Sequence, residues 1–230
     1  MLNTPNIPNV AIWVDADHLI GAKDHPEKWS SGNALLDTAT VLNLLLSNDP
    51  HFEDLLDGIN RCRSIYGAYD KNPGRPDEIT HDDLIGVASI SPFYARELCA
   101  DMEKQHGFLS NTGKRYFTAW VKPWHRAFYQ LMAGHQVSYI YLLAFCLQLL
   151  LMGMRRTDAS GSKLVLLQTK ALLGICKDLG LSTYLIRLLT WTKHRILAFW
   201  GSERALYAEY YGPEHIITKL AEWKDAERKD

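Results

Sequence analysis

Two stretches hold most of the side chains that can do chemistry. Residues 75–86 read RPDEITHDDLIG and carry Asp77, Glu78, His81, Asp82 and Asp83. Residues 13–29 read WVDADHLIGAKDHPEKW and place Asp15, Asp17 and His18 directly after an apolar run. Two carboxyl groups facing each other across a cleft are what glycoside hydrolysis needs. One protonates the leaving oxygen, and the other acts as base or nucleophile. On that reading Asp15 or Asp17 is the base and Asp82 or Asp83 the acid. Trp29 and Tyr69 lie beside them as stacking platforms for sugar rings, with His81 as a further substrate contact and Tyr66 nearby. A retaining enzyme sets its two carboxyl groups roughly 5–5.5 Å apart and an inverting one roughly 6.5–9.5 Å apart. The acid must also sit in a less polar place that raises its pKa.

The same residues have a purely structural use. Thr80 is a good helix N-cap, with Asp83 three residues on, where the acid of a capping box belongs. Asp82 falls in the first turn, where the helix dipole favours negative charge. Asp77 and Glu78 read as loop residues facing water, and the aromatics as packing.

Metal chemistry is a third reading. The His81-Asp82 pair in a helical chain resembles the HD phosphohydrolases. That resemblance implies a ligand set of His81, Asp82, a further His (His51 or His25) and a later Asp (Asp101 or Asp158). The pair here follows a polar, proline-rich loop, whereas in that family it follows an apolar helical run. NVAIWVDADHL, residues 9–19, resembles the first strand of the NYN and PIN nucleases. Those folds need several more parallel strands, and this sequence offers none. No Ser-His-Asp order, Gly-rich phosphate loop or zinc spacing is present, and no cofactor is expected.

The elements that must position these groups are helical. The chain has 230 residues, 47% of them apolar and 22% charged, enough to bury a full core. Helical spacing of Leu35, Leu36, Ala39, Leu42 and Leu46 predicts a helix over 33–49, ended by Pro50, with a second helix after it. A loop with Pro73, Gly74 and Pro76 follows, then a helix from His81 to about Ile90. Ser91 and Pro92 start the next, to about His106. FLSNTG (108–113) reads as a turn. A helix is expected from Lys114 to Gly134, kinked or split at Pro123. Residues 137–154, VSYIYLLAFCLQLLLMGM, carry no charge. They are expected as a helix at the centre of the domain, covered on most sides, in a protein that purifies without detergent. Four further helices are expected beyond it. Val10–Val14 is the one candidate strand. The expected fold is all-α: a single helical domain over 1–230, nine or ten helices packed as antiparallel hairpins, in a bundle or an incomplete α/α toroid.

Bulk properties narrow the partners. A formal net charge of −1 gives no electrostatic case for nucleic acid or an anionic membrane. VKPWHRAFY (121–129) and KHRILAFW (193–200) mix basic and aromatic residues but read as solvated edges beside core stripes. Cys62, Cys99, Cys146 and Cys176 are far apart and read as free thiols in a reducing cytosol. The first residues lack the charge and apolar run of a signal peptide.

WSSGNALLDTA and GAYDKNPGRPDEITHDDLIGVASIS together resemble a group of uncharacterised bacteriophage proteins. Those share a G-N-x-L-L pattern upstream of a Y-x-x-N-P-G-R loop and an H-D-D helix start. The resemblance covers about the first 90 residues. It implies a phage origin and a place in the host cytoplasm or the virion. Expected partners are therefore a carbohydrate or, for a non-enzymatic assembly or host-binding role, a host or virion protein.

Overall fold

The computed structural model describes residues 10–21, 34–43, 45, 47–73, 80–112, 119–154 and 204–226. These are mostly helical, as expected. Eight helices are described: α1 (Ala34–Leu42), α2 (Phe52–Arg61), α3 (His81–Ile90), α4 (Pro92–Lys104), α5 (Pro123–Met132), α6 (Tyr139–Met154), α7 (Arg204–Tyr211) and α8 (Ile216–Ala226). The chain divides into two compact units. One comprises 13–146; the other joins 1–12 to 147–230.

In the 13–146 unit, α1 is buried at every residue. Its apolar residues lie on every side, which suits a helix inside the core, and its one acid, Asp37, is buried with them. Its two threonines fit there because each donates its hydroxyl to the carbonyl four residues back, Thr38 to Ala34 and Thr40 to Leu36, both at 2.7 Å. α1 packs on α3, α3 on α4 and α5, and α4 on α5. Gly86 allows the first of these contacts. A Cβ there would lie 3.0 Å from Leu36 Cδ1 and 3.2 Å from Ala39 Cβ. α4 buries Tyr94, Ala95, Leu98, Cys99, Asp101 and Met102 along one side. β1 (Phe108–Leu109) and β2 (Ala119–Trp120) pair antiparallel, Phe108 opposite Trp120.

Several expectations change. The helix predicted over 114–134 is split at Pro123, one of the two outcomes expected there: α5 begins at Pro123, and residues 113–118 lie outside the described residues. Proline there serves as the first helical residue, and Ala119–Trp120 before it are extended. Phe108–Leu109, read as part of a turn, is a strand. Val10–Val14 forms no strand, only single bridges from Ala11 to His215 and from Val14 to Ile20. α1 stops at Leu42, short of the predicted 49.

The apolar helix is the largest correction. α6 buries Phe145 and Leu149, yet Tyr139, Ile140, Leu143, Leu147 and Leu151 are exposed. It is not covered on most sides. Its 16 residues make a helix about 24 Å long, against roughly 30 Å of bilayer hydrocarbon. No helix among the described residues is long and apolar enough to cross a membrane.

In the other unit, Ala11 NH donates to the Glu214 carbonyl at 2.7 Å, and Ile216 NH donates to the Ala11 carbonyl at 2.9 Å. His215 stacks on Tyr211 with ring centroids 4.9 Å apart. Thr218 donates its hydroxyl to the carbonyls of Tyr207 and Gly212, fixing the turn between α7 and α8.

Candidate acid cluster around Cys62

The Asp15 segment turns back on itself. Asp15 NH donates to the Leu19 carbonyl, and Gly21 NH to that of Trp13. One carboxylate oxygen of Asp15 accepts from the backbone NH of Asp17 and of Leu19, each at 2.9 Å. This is the local side-chain turn that aspartate favours. His18 takes the left-handed conformation at φ 62° and meets Asp57 at 2.8 Å, while Arg61 pairs with the same carboxylate. The turn therefore rests on α2. It approaches so closely that only glycine fits at position 58.

The second segment is the start of α3. Thr80 is the N-cap, and its hydroxyl oxygen accepts from Asp83 NH at 3.3 Å. The same hydroxyl donates to the Asp83 carboxylate. The expected cap is present, with the acid returning to the cap's hydroxyl. Thr80→Ala should cost about 0.5–2 kcal/mol of unfolding free energy. A urea titration checks it, and an unchanged midpoint would count against the cap.

These two segments, far apart in sequence, both bear electrostatically on one thiol. Cys62, at the end of α2, is pushed far above the usual thiol range, first by burial and then by the charges of Asp70, Asp83, Asp17 and Asp15. Such a thiol is protonated and inert. Asp83, only 1% exposed, is raised to about 6. Burial is the main cause. Thr80 and Lys71 oppose it, and Asp82 and Asp37 add to it. Asp15, 4% exposed, is also raised by burial, against its two backbone hydrogen bonds. Asp15 Oδ2 and Asp83 Oδ1 are buried and have no hydrogen-bond partner among the described residues. Native proteins satisfy nearly all such atoms, and the exceptions call for a reason.

The remaining predicted residues fall as follows. Asp17 and Asp82 are half-buried, and each has further polar partners. His81 lays its ring on His125, centroids 4.0 Å apart. His125 is depressed to about 3 by burial, then by His81 and Lys122. Tyr69 presents no ring face to solvent. It is 1% exposed, donates to Glu97 at 2.7 Å, and carries the Arg63 guanidinium 5.0 Å from its ring centre. It is a packing residue here and not a stacking platform. Tyr66 is exposed. Trp29, Asp77, Glu78, His25, Asp158 and Cys176 lie outside the described residues.

The ligand set implied by the HD resemblance does not assemble from the described residues. Asp101 is held by Arg63 and by Ala68 NH, and His51 sits against Asp49. Among the described residues, no group of three or more His, Cys, Asp or Glu is placed to hold a metal.

Sequence reading missed part of the cluster. Asp37, Asp70, Asn72 and Asn111 are buried. Asn111 donates to Asp70 at 2.6 Å, and the side-chain oxygens of Asn72 and Asn111 have no partner among the described residues. The only signal for Asp70 was its place in AYDKN, beside residues already singled out.

The chain matches no protein-family model, no curated protein and no solved structure.

Proposed function

We propose that the protein is a carbohydrate-active hydrolase of the glycosidase type, with Asp83 as acid and Asp15 as base. The observation that supports this is the pair of buried, unpartnered carboxylate oxygens on two distant segments that both act on Cys62. Carboxyl groups raised by burial, close to a second carboxyl group, are a recurring mark of acid–base sites. Asp83, raised to about 6, still holds a proton over part of the mildly acidic range. Both groups are closed to solvent, so on this reading the Asp15 turn and the start of α3 must part to admit a sugar. The proposal extends to a phage-encoded chain acting in the host cytoplasm or virion. It takes the fold as nine or ten helices in antiparallel hairpins, in a bundle or an incomplete α/α toroid.

The test is release of reducing ends from a panel of polysaccharides by the purified full chain between pH 4.5 and 7. Asp83→Asn and Asp15→Asn should each lower the rate about 100-fold or more, the usual share of a general acid or base. Folded protein that releases no reducing ends from any of them would end this reading.

A second reading is favoured by one observation, the exposed apolar stripe of α6. Apolar stripes of this kind mark protein-binding surfaces. On this reading the chain binds a host or virion protein, and the two acid clusters only cap and solubilise. Asp15→Asn and Asp83→Asn would then leave its biological activity intact, whereas Leu143→Glu would abolish it.

A further inference from the structure

The starts of α3 and α5 meet through two imidazole rings. His81 is the first residue of α3, and His125 the third of α5. Their ring centroids lie 4.0 Å apart at a tilt of 34°, and Trp124 sets its ring edge-on to His125 at 5.7 Å. His125 is buried, and its Nδ1 has no hydrogen-bond partner among the described residues.

A neutral imidazole tolerates this, because one of its nitrogens can remain a bare lone pair. An imidazolium donates from both nitrogens, so a proton on Nδ1 would be a buried donor without an acceptor. The surroundings oppose the charge as well. After burial itself, His81 and Lys122 both repel a cation on His125. The ring lies in the first turn of α5, where the helix dipole disfavours positive charge. Asp82 on α3 and Cys99 on α4 bear on α5 one turn further along, at Tyr129. Cys99 in turn feels Glu103 of its own helix and Arg126 of α5, and burial keeps it protonated up to about 11.

We propose that His125 is an acid-operated latch: stacked on His81 it holds the start of α3 to α5, and when it takes a proton the two helix starts separate. Separation brings Nδ1 the water it needs as acceptor and relieves the repulsion from His81. Thr80, Asp82 and Asp83 ride on the same start of α3, so the latch governs exposure of that part of the acid cluster. It stands whether or not the cluster hydrolyses sugars.

Linkage sets the direction. Folding takes His125 from the ordinary 6.5 down to about 3, so the closed form binds fewer protons than the open one between these values. The contact is at full strength above about 6.5 and weakens by about a factor of ten for each pH unit below it. Asp83 works against this, since its neutral form favours the closed state in acid. The share of His125 is therefore read as a difference between variants.

The experiment compares the full chain with His125→Phe, which keeps an aromatic ring on His81 and cannot take a proton. Amide hydrogen exchange is followed at Leu84, whose NH donates to the Thr80 carbonyl, and at Asn43, whose NH donates to the Ala39 carbonyl at the end of α1. From pH 7.5 to 4.5 the opening constant at Leu84 should rise about 100-fold in the parent relative to His125→Phe, one proton over two pH units below 6.5. At Asn43 the two chains should stay alike. The imidazole resonances of His125 in the parent, recorded over the same range, should show no protonated form while Leu84 stays protected. Equal pH dependence of Leu84 exchange in the two chains would overturn the proposal. So would an equal loss of protection at Asn43, which means global unfolding, or a His125 ring that titrates near 6.5 with Leu84 still protected. That last measurement uses the parent alone, so it decides the matter even where His125→Phe does not fold.

Discussion

Gly58→Ala is expected to dislodge the Asp15 turn from α2 and to destabilise the 13–146 unit. The added Cβ would lie 2.2 Å from the His18 carbonyl oxygen, 2.6 Å from its carbon and 3.0 Å from Leu19 Cδ2. The first two are backbone atoms, so no side-chain rotation relieves them. In an open helix this substitution would be favourable by about 0.5–1 kcal/mol, because glycine loses more freedom on folding. The clash reverses the sign. Overpacking of this kind costs typically about 1–3 kcal/mol, and the turn also carries the His18–Asp57 pair and the Asp15 cradle. The midpoint of urea unfolding should fall. Trp13, at the foot of the turn, should change its fluorescence before global unfolding. A midpoint equal to or above that of the unsubstituted chain would refute the close approach.

Asp83→Asn should stabilise the protein at alkaline pH and do little in acid. The folded state raises Asp83 from the usual 3.8 to about 6. The neutral acid is therefore the form that favours folding. Its contribution is complete below the unfolded pKa and is lost as pH rises through about 6. Roughly two pH units correspond to about 3 kcal/mol at most. Asparagine stays neutral throughout and keeps an oxygen for Thr80, but its own amide N–H groups need acceptors and give some of this back. A gain of about 2 kcal/mol at pH 8, shrinking to nothing or reversing near pH 4, is the expected outcome of urea titrations at the two pH values. A variant less stable than the parent at pH 8 would mean that the charged carboxylate is welcome where it sits. Stability gained together with hydrolysis lost is the pattern expected of an acid kept for chemistry at a cost to the fold.

What could be read from sequence was what neighbouring residues decide among themselves. Thr80 and Asp83 specify a helix start through groups three residues apart, and α3 spans His81–Ile90 as expected. Ser91–Pro92 separates α3 from α4 through the proline, which takes the first turn of α4, while the Ser91 side chain makes no capping hydrogen bond. Pro123 was legible as a kink or a split; that it splits the chain and starts a helix goes with the pairing of Ala119–Trp120 to β1, which nothing local announces. The VAIWV run has strand propensity but finds only single bridges, and a strand needs a partner along its length. α6 was legible as a helix; periodicity names a face but not the neighbour that covers it. That Asp15 and Asp83 both weigh on the Cys62 thiol was not legible in the sequence, since it depends on Gly58 admitting the Asp15 turn onto α2. Tyr69 looked like a platform beside the acids, and only the fold brings Glu97 to its hydroxyl.

Arg63 has a consequence for the order in which the chain takes shape. It bonds the Ala68 carbonyl and the Asp101 carboxylate, and that carboxylate also accepts from Ala68 NH at 2.9 Å. Gly67 and Ala68 hold left-handed conformations, at φ 102° and 57°. An alanine there is uncommon and needs outside support. The support comes from α4, 38 residues downstream of Arg63. The residue 63–69 turn is thus no autonomous nucleus. A nascent chain that has not yet reached Asp101 contains every residue of the turn and lacks the counter-charge that shapes it. The turn takes its shape from α4 as well as from its own residues, and the exposed tip at Ile65 and Tyr66 is held out by a contact made 38 residues downstream of Arg63.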